Sequence, residues 1–306
     1  VIACYDTGDE NMTPLWGGYV TDRSRGDDAD NVTLAVATIE GYFDRRYVRN
    51  ATFASTGQNS IVETLLNSYV VDGTRPGIPL TIVKVDGNGY PRDRHYFDTD
   101  DATVYARLTE LMGVQGGPEW KTEWQWTANG TKIVPVLTVG TRLGKTASNA
   151  SPAVPFAMPG SVTSFQLSES YSQGHGANAV TAFASGQGDT RPQSPEQYAT
   201  DFGGAPQYEF RWSPSTSISD VFTLTGYAQQ AVGIMNAGSK PVSLRAMRDT
   251  APRFGTDWVL GDDIFYDLTH PILPLGLTGS GRAVAYELYL DEIAPILATV
   301  DEPVSA

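Results

Sequence analysis

Glycine and proline interrupt this chain about once every six residues, with 31 glycines and 19 prolines in 306 positions. Their combined share in ordinary proteins is roughly 12%. Glycine weakens a helix through backbone entropy, and proline removes a backbone donor and blocks the preceding turn. Long helices cannot run through such punctuation, whereas short strands joined by turns can. Between the breaks, Leu15 to Arg23 (LWGGYVTDR) and Val32 to Ile39 (VTLAVATI) alternate bulky apolar and polar side chains around the turn-rich acidic stretch SRGDDADN. This pattern predicts a β-hairpin with a long tip.

Helical spacing occurs in three places. In SIVETLLNSYVV (60–71), Ile61, Val62, Leu65, Leu66, Tyr69 and Val70 share one face, with Ser60 as the expected N-cap. TIVKV (81–85) then runs into DGNG (86–89), which predicts a hairpin turn, and Ala102 to Met112 forms a second expected helix that stops at Gly113. Ser217 to Met235 is the third. Elsewhere EWKTEWQW, KIVPVLTVGTRLG, VTSFQLSESYSQ, NAVTAFASGQ, PVSLRAM, DWVLGDDIFYDL and RAVAYELYLDEI read as strands. The expected fold is therefore mainly β with α+β insertions, built as two β-barrel or sandwich modules.

Charge excludes one function class. With 35 acids against 21 bases the net charge is −14, and a protein that blankets phosphates needs a basic footprint. The excess is concentrated at the ends: residues 1–56 carry nine acids and five bases, 57–256 carry 17 and 15, and 257–306 carry nine and one. Cys4 is the single cysteine, which excludes an internal disulfide framework and a Cys-based zinc site. No apolar run approaches the roughly 20 residues of a membrane-spanning helix. Five sequons, at Asn11, Asn31, Asn50, Asn129 and Asn149, would fit a secreted glycoprotein, a reading that the lack of disulfides weakens.

Catalytic signatures are missing. GTRLGKT (140–146) has three residues between its first glycine and the GK pair where a phosphate loop needs four, so a strand-end turn is the better account. Neither GxSxG nor HExxH occurs, and His95, His175 and His270 are far apart, as expected of surface or turn residues. The neighbouring acids Asp27/Asp28, Asp100/Asp101 and Asp262/Asp263 would point to opposite faces of a strand and cannot flank one glycosidic bond. No catalytic residue, cofactor or metal site is expected. Trp120, Trp124 and Trp126 have even spacing, which puts three rings on one face of a strand. They are candidate core or interface aromatics, with a sugar-stacking platform as the alternative, in a secreted carbohydrate-binding or glycoside-hydrolysing β protein.

The order of segments resembles a known family. LWGGYVTDRSR…VTLAVATIEGYFDRRYV, SIVETLLNSYVV, ARLTELMGVQGGPEWKTEWQW and WVLGDDIFYDLT…GRAVAYELYLDEIAPIL are similar to minor tail proteins of actinobacterial siphophages, within the wider phage baseplate-hub or tail-hub family. The likeness covers about Leu15 to Leu297, and its motifs are GYxxRR (Gly41, Tyr42, Arg45, Arg46) and GGPEW (Gly116 to Trp120). It implies a non-enzymatic homotrimer in the virion, at the tail tip, assembled in the host cytoplasm. Residues 1–56 with 117–150 would form a first β module, 57–116 an inserted α+β segment, and 151–306 a second β module with a helical insert near 217–236. Its partners would be distal tail or tube, tape-measure, and tip or fibre proteins. No lytic extension is expected after DEPVSA. DNA would pass as non-adhering cargo through an acidic channel, with Asp262, Asp263 and Asp267 as candidate lining residues.

Overall fold

The computed structural model describes residues 1–5, 12–26, 32–71, 76–113, 116–148, 153–172, 174–184, 188, 191–200, 206–213, 220–236, 238 and 242–299. Two compact units emerge: Val1–Pro152 with Pro252–Asp262, and Ala153–Ala251 with Asp263–Val304.

In the first unit β1 (Ile2–Tyr5), β2 (Thr13–Arg25) and β3 (Val32–Thr38) form an antiparallel meander. The β2–β3 register runs from Gly18↔Thr38 to Arg25↔Val32, with a shift between Val20 and Asp22 where the strict alternation is broken. Asp27, Asp28 and the rest of the expected tip lie outside the described residues. Next come α1 (Glu40–Phe43), β4 (Ala51–Gly57), α2 (Gln58–Tyr69), β5 (Thr81–Lys84), β6 (Pro91–Tyr96), α3 (Val104–Met112), β7 (Glu119–Trp126) and β8 (Ile133–Gly140). β4 pairs with β6, while β5 runs parallel to β8 and β7 antiparallel to it. Ile61, Val62, Leu65 and Leu66 of α2 join Leu108 and Leu111 of α3, Phe43, Tyr96 and Leu137 in one buried core. The 57–116 segment thus shares sheets with the strands on either side of it and is not a separate body.

The DGNG turn differs from expectation. β5 and β6 enter different sheets, so residues 86–89 close no hairpin. Their role is to start α2. The Gln58 amide donates to the Tyr90 carbonyl at 2.9 Å and the Asn59 amide to the Asn88 carbonyl at 3.0 Å, which satisfies two donors that any helix start leaves open. The helix therefore begins after Gly57, and Ser60, expected as its cap, instead donates its hydroxyl to Asn88 Oδ1 at 2.9 Å. At α3 the cap is local, with Thr103 Oγ1 accepting the Ala106 amide at 3.1 Å.

The second unit contains β9 (Val154–Met158), β10 (Val162–Leu167), β11 (Ala179–Ala182), β12 (Gln197–Tyr198), β13 (Glu209–Trp212), α4 (Val221–Met235), β14 (Val242–Met247), β15 (Asp263–His270), β16 (Leu273–Leu288) and β17 (Glu292–Thr299). Six of these strands form a sheet in the order β10-β14-β17-β16-β15-β9. Its two outermost strands are consecutive in sequence. The connection Pro159–Ser161 spans at most about 14 Å, so the sheet must curl until β9 and β10 touch, as they do. The result is a strongly curled, barrel-like sheet of six strands with no hydrogen-bonded ladder between β9 and β10.

The expected strand RAVAYELYLDEI is divided between β16, which starts earlier at Leu273 and ends at Leu288, and β17, which starts at Glu292. Gly279 lies opposite Tyr266 on β15, and a Cβ there would overlap the tyrosine ring. Glycine here makes room for an aromatic ring to lie across the strand, and the ladder continues. Between β10 and β14 the chain leaves the barrel to build a small sheet, β12-β11-β13, packed on α4 through Val180, Ala182, Leu224, Ala228 and Val232. The excursion starts and returns at directly paired residues, Leu167 and Val242. The helix expected near 217–236 is α4, and positions 214–219 lie outside the described residues.

Candidate interaction surfaces

The tryptophan row lies on β7, with Trp120 opposite Val139, Trp124 opposite Pro135 and Trp126 opposite Ile133. Trp120 and Trp124 pack against the first unit's core. Trp120 meets Phe43 at 6.3 Å and Tyr105 edge-on at 6.1 Å, and the Trp124 ring occupies the space where Gly17 would carry a Cβ. Trp126 is 36% exposed and donates its indole N–H to the Met12 carbonyl at 2.7 Å. Of the three rings, one is left at the surface.

The GYxxRR residues hold the same unit together. Tyr42 packs on the core, and a Cβ at Gly41 would come within 2.9 Å of the Tyr19 hydroxyl. Arg46 Nε donates to the Tyr69 carbonyl at 2.5 Å, satisfying an acceptor at the end of α2, while the Arg46 carbonyl accepts the Val104 amide at 2.7 Å. Arg45 is exposed.

The candidate channel acids divide by burial. Asp262 is 1% and Asp263 5% exposed. Asp262 accepts the Lys145 amide at 2.6 Å and the Val259 amide at 3.0 Å. A carboxylate spent on backbone amides inside a unit faces no lumen, which rules out Asp262 as a lining residue, and Asp263 is too buried to present its carboxylate to one. Asp267 is exposed, as are Glu287 and Asp291.

Asp262 belongs to a feature that sequence reasoning missed. Three carboxylates from distant segments take alternate amides of one loop: Asp86 accepts from Thr141 at 2.6 Å, Glu119 from Leu143 at 2.7 Å, and Asp262 from Lys145 at 2.6 Å. This loop is the GTRLGKT segment. Gly144, at φ +81°, lies so close to Gly261 that a Cβ would overlap the neighbouring backbone. Hence Pro252–Asp262 joins the first unit although sequence placed it in the second module. Burial pushes the Asp86 carboxyl up, but hydrogen bonds from Thr141 and Asn59 outweigh it and hold the group below its ordinary value. The only sequence trace of the loop's role is its glycine pair.

His95 and His175 are exposed, and His270 closes β15 with its ring edge-on to Phe165 at 5.6 Å. Among the described residues no three His, Cys, Asp or Glu side chains are grouped to hold a metal ion. No described helix is long and apolar enough to cross a membrane.

Around β15, β16 and β17 several large apolar side chains are exposed: Leu275 at 99% and Leu290 at 81%, with Phe265, Ile272, Val284 and Ile296 exposed in part. Phe265, Leu275, Val284 and Ile296 lie on strands, and Ile272 and Leu290 in the turns at either end of β16.

The two units, with their mainly β sheets and few helices, define a fold of the phage tail-protein type. It is shared with the 43 kDa tail protein of prophage MuSo2 from Shewanella oneidensis (TM-score 0.59, 13% identity, 95% of this chain and 81% of that one). It is shared equally with a tail protein from Neisseria meningitidis MC58 (TM-score 0.56, 12% identity, 93% and 80%). No protein-family model and no curated protein matches the sequence. The narrower likeness to actinobacterial siphophage proteins rests on sequence motifs alone.

Proposed function

We propose that the chain is a non-enzymatic structural protein of a phage tail, a homotrimeric hub at the tail tip. The observation that carries this reading is the fold likeness, which spans 95% of the chain and takes in both units. In the virion it would close the tube, join distal tail or tube, tape-measure, and tip or fibre proteins, and open a path for the genome. Assembly would take place in the host cytoplasm.

Two physical features support the finer parts. The exposed apolar side chains on β15, β16 and β17 suit burial against neighbouring copies, where such residues supply most of the binding energy. Acidic excess suits a path along which DNA slides, because a basic wall would hold phosphate through counterion release. The exposed Asp267, Glu287 and Asp291 are its candidate lining groups. Sedimentation of the isolated chain, followed by electron microscopy, tests the reading. A three-fold ring with a central hole is expected, and a monodisperse monomer at micromolar concentration would overturn the hub assignment.

A further inference from the structure

Apart from the hub reading, the small sheet of the second unit carries a cleft of about 250 Å³. Its floor is set by strand register. Thr181 on β11 lies beside Arg211 on β13, so both project on one face, and Phe183 follows on that face two residues later. The opposite wall is the segment carrying Gln193 and Glu196. This wall is fixed by paired bonds at Ser194, whose amide donates to the Ala182 carbonyl at 2.9 Å and whose Oγ accepts the Ala182 amide at 3.0 Å.

The chemistry of the walls selects a ligand class. Glu196 is pre-oriented by the Tyr198 hydroxyl, which donates to Oε2 at 2.6 Å, and by Gln207 Nε2, which donates to Oε1 at a longer 3.4 Å. Arg211 pairs with Glu209 at 3.4 Å and not with Glu196. A planar carboxylate and a planar guanidinium therefore face one cleft without neutralising each other. The carboxylate accepts and the guanidinium donates, which matches neighbouring hydroxyls that each do both. Phe183 adds an aromatic ring, backed by the Arg191 guanidinium 4.6 Å from its centroid. Glu196 and Glu209 balance Arg211 and Arg191 around the cleft, so no net positive charge is there to select an anion. The volume lies below the roughly 300–1,000 Å³ of pockets for drug-sized ligands, so it suits one small ring.

We propose that this cleft binds a single neutral sugar ring, free or as one residue of a hydroxyl-rich polysaccharide. Glucose, galactose, mannose and N-acetylglucosamine, with their neutral oligosaccharides, are the probes, titrated against the full chain by calorimetry and by ligand-observed NMR. At least one should bind, with little dependence on salt. Arg211→Ala and Glu196→Gln should each weaken binding by about tenfold or more, the loss of one charge-assisted hydrogen bond, with the far-UV spectrum unchanged. Trp126→Ala should bind as the parent does. Binding by none of these sugars, binding that survives both cleft substitutions, binding lost on Trp126→Ala, or preference for an anionic glycan that salt abolishes would each overturn the proposal. None of these outcomes bears on whether the chain trimerises.

Discussion

Replacing Asp262 by alanine should destabilise the first unit far more than its place in the sequence suggests. The carboxylate is 1% exposed and accepts two backbone amides, from Lys145 at 2.6 Å and Val259 at 3.0 Å. A hydrogen bond to a charged group contributes about 1.5–3 kcal/mol, and truncating the acceptor leaves both donors without it. Lys145 lies in an exposed stretch where water can reach its amide, which draws the total toward the lower end, about 3 kcal/mol. With a urea dependence of about 2 kcal/mol per molar, the unfolding midpoint should fall by about 1.5 M. Tryptophan fluorescence isolates the transition, since Trp16, Trp120, Trp124, Trp126 and Trp258 lie in the first unit and Trp212 alone in the second. Asp267→Ala, which removes an exposed acid, should stay within about 0.5 kcal/mol of the parent. Equal midpoints for the two variants would refute the structural role assigned to Asp262.

Gly144→Ala should cost about 2–4 kcal/mol in the same assay, because φ is +81° and the added methyl overlaps the backbone at Gly261; a neutral substitution would mean that the two segments do not meet. Gly279→Val should lower the second unit's thermal midpoint by driving a side chain into the Tyr266 ring, and an unchanged melt would place that ring elsewhere. The depressed Asp86 carboxyl contributes stability that is complete above its unfolded value near pH 4 and is lost as pH falls through its lower folded value. Asp86→Asn should therefore flatten the acid limb of a stability-against-pH curve, and a parallel limb in parent and variant would contradict this.

How far the sequence could be read depended on whether a residue's role is local. Alternation in Leu15–Arg23 and Val32–Ile39 and the apolar faces of α2 and α3 were legible, since strand and helix periods need only near neighbours. The DGNG turn was misread because its carbonyls serve α2, an element that precedes it by a β-strand and a loop. The early start of β16 was not legible because the ring that lies over Gly279 belongs to another strand. Asp262 and Asp263 looked like surface acids on composition alone; the partner of Asp262, Lys145, is 117 positions away. The tryptophan spacing correctly placed three residues on one strand face, yet nothing local told which rings the core would cover.

The barrel treats everything from Ser168 to position 241 as the connection of one β-hairpin, since Leu167 and Val242 are already partners in the ladder. Such a segment is a cassette. Lengthening it, trading it for another or cutting it to a tight turn changes no strand order and no register in the barrel that carries it. The barrel can then be held to the geometry of its neighbours while the cassette, with its polar cleft, is free to diverge in what it touches.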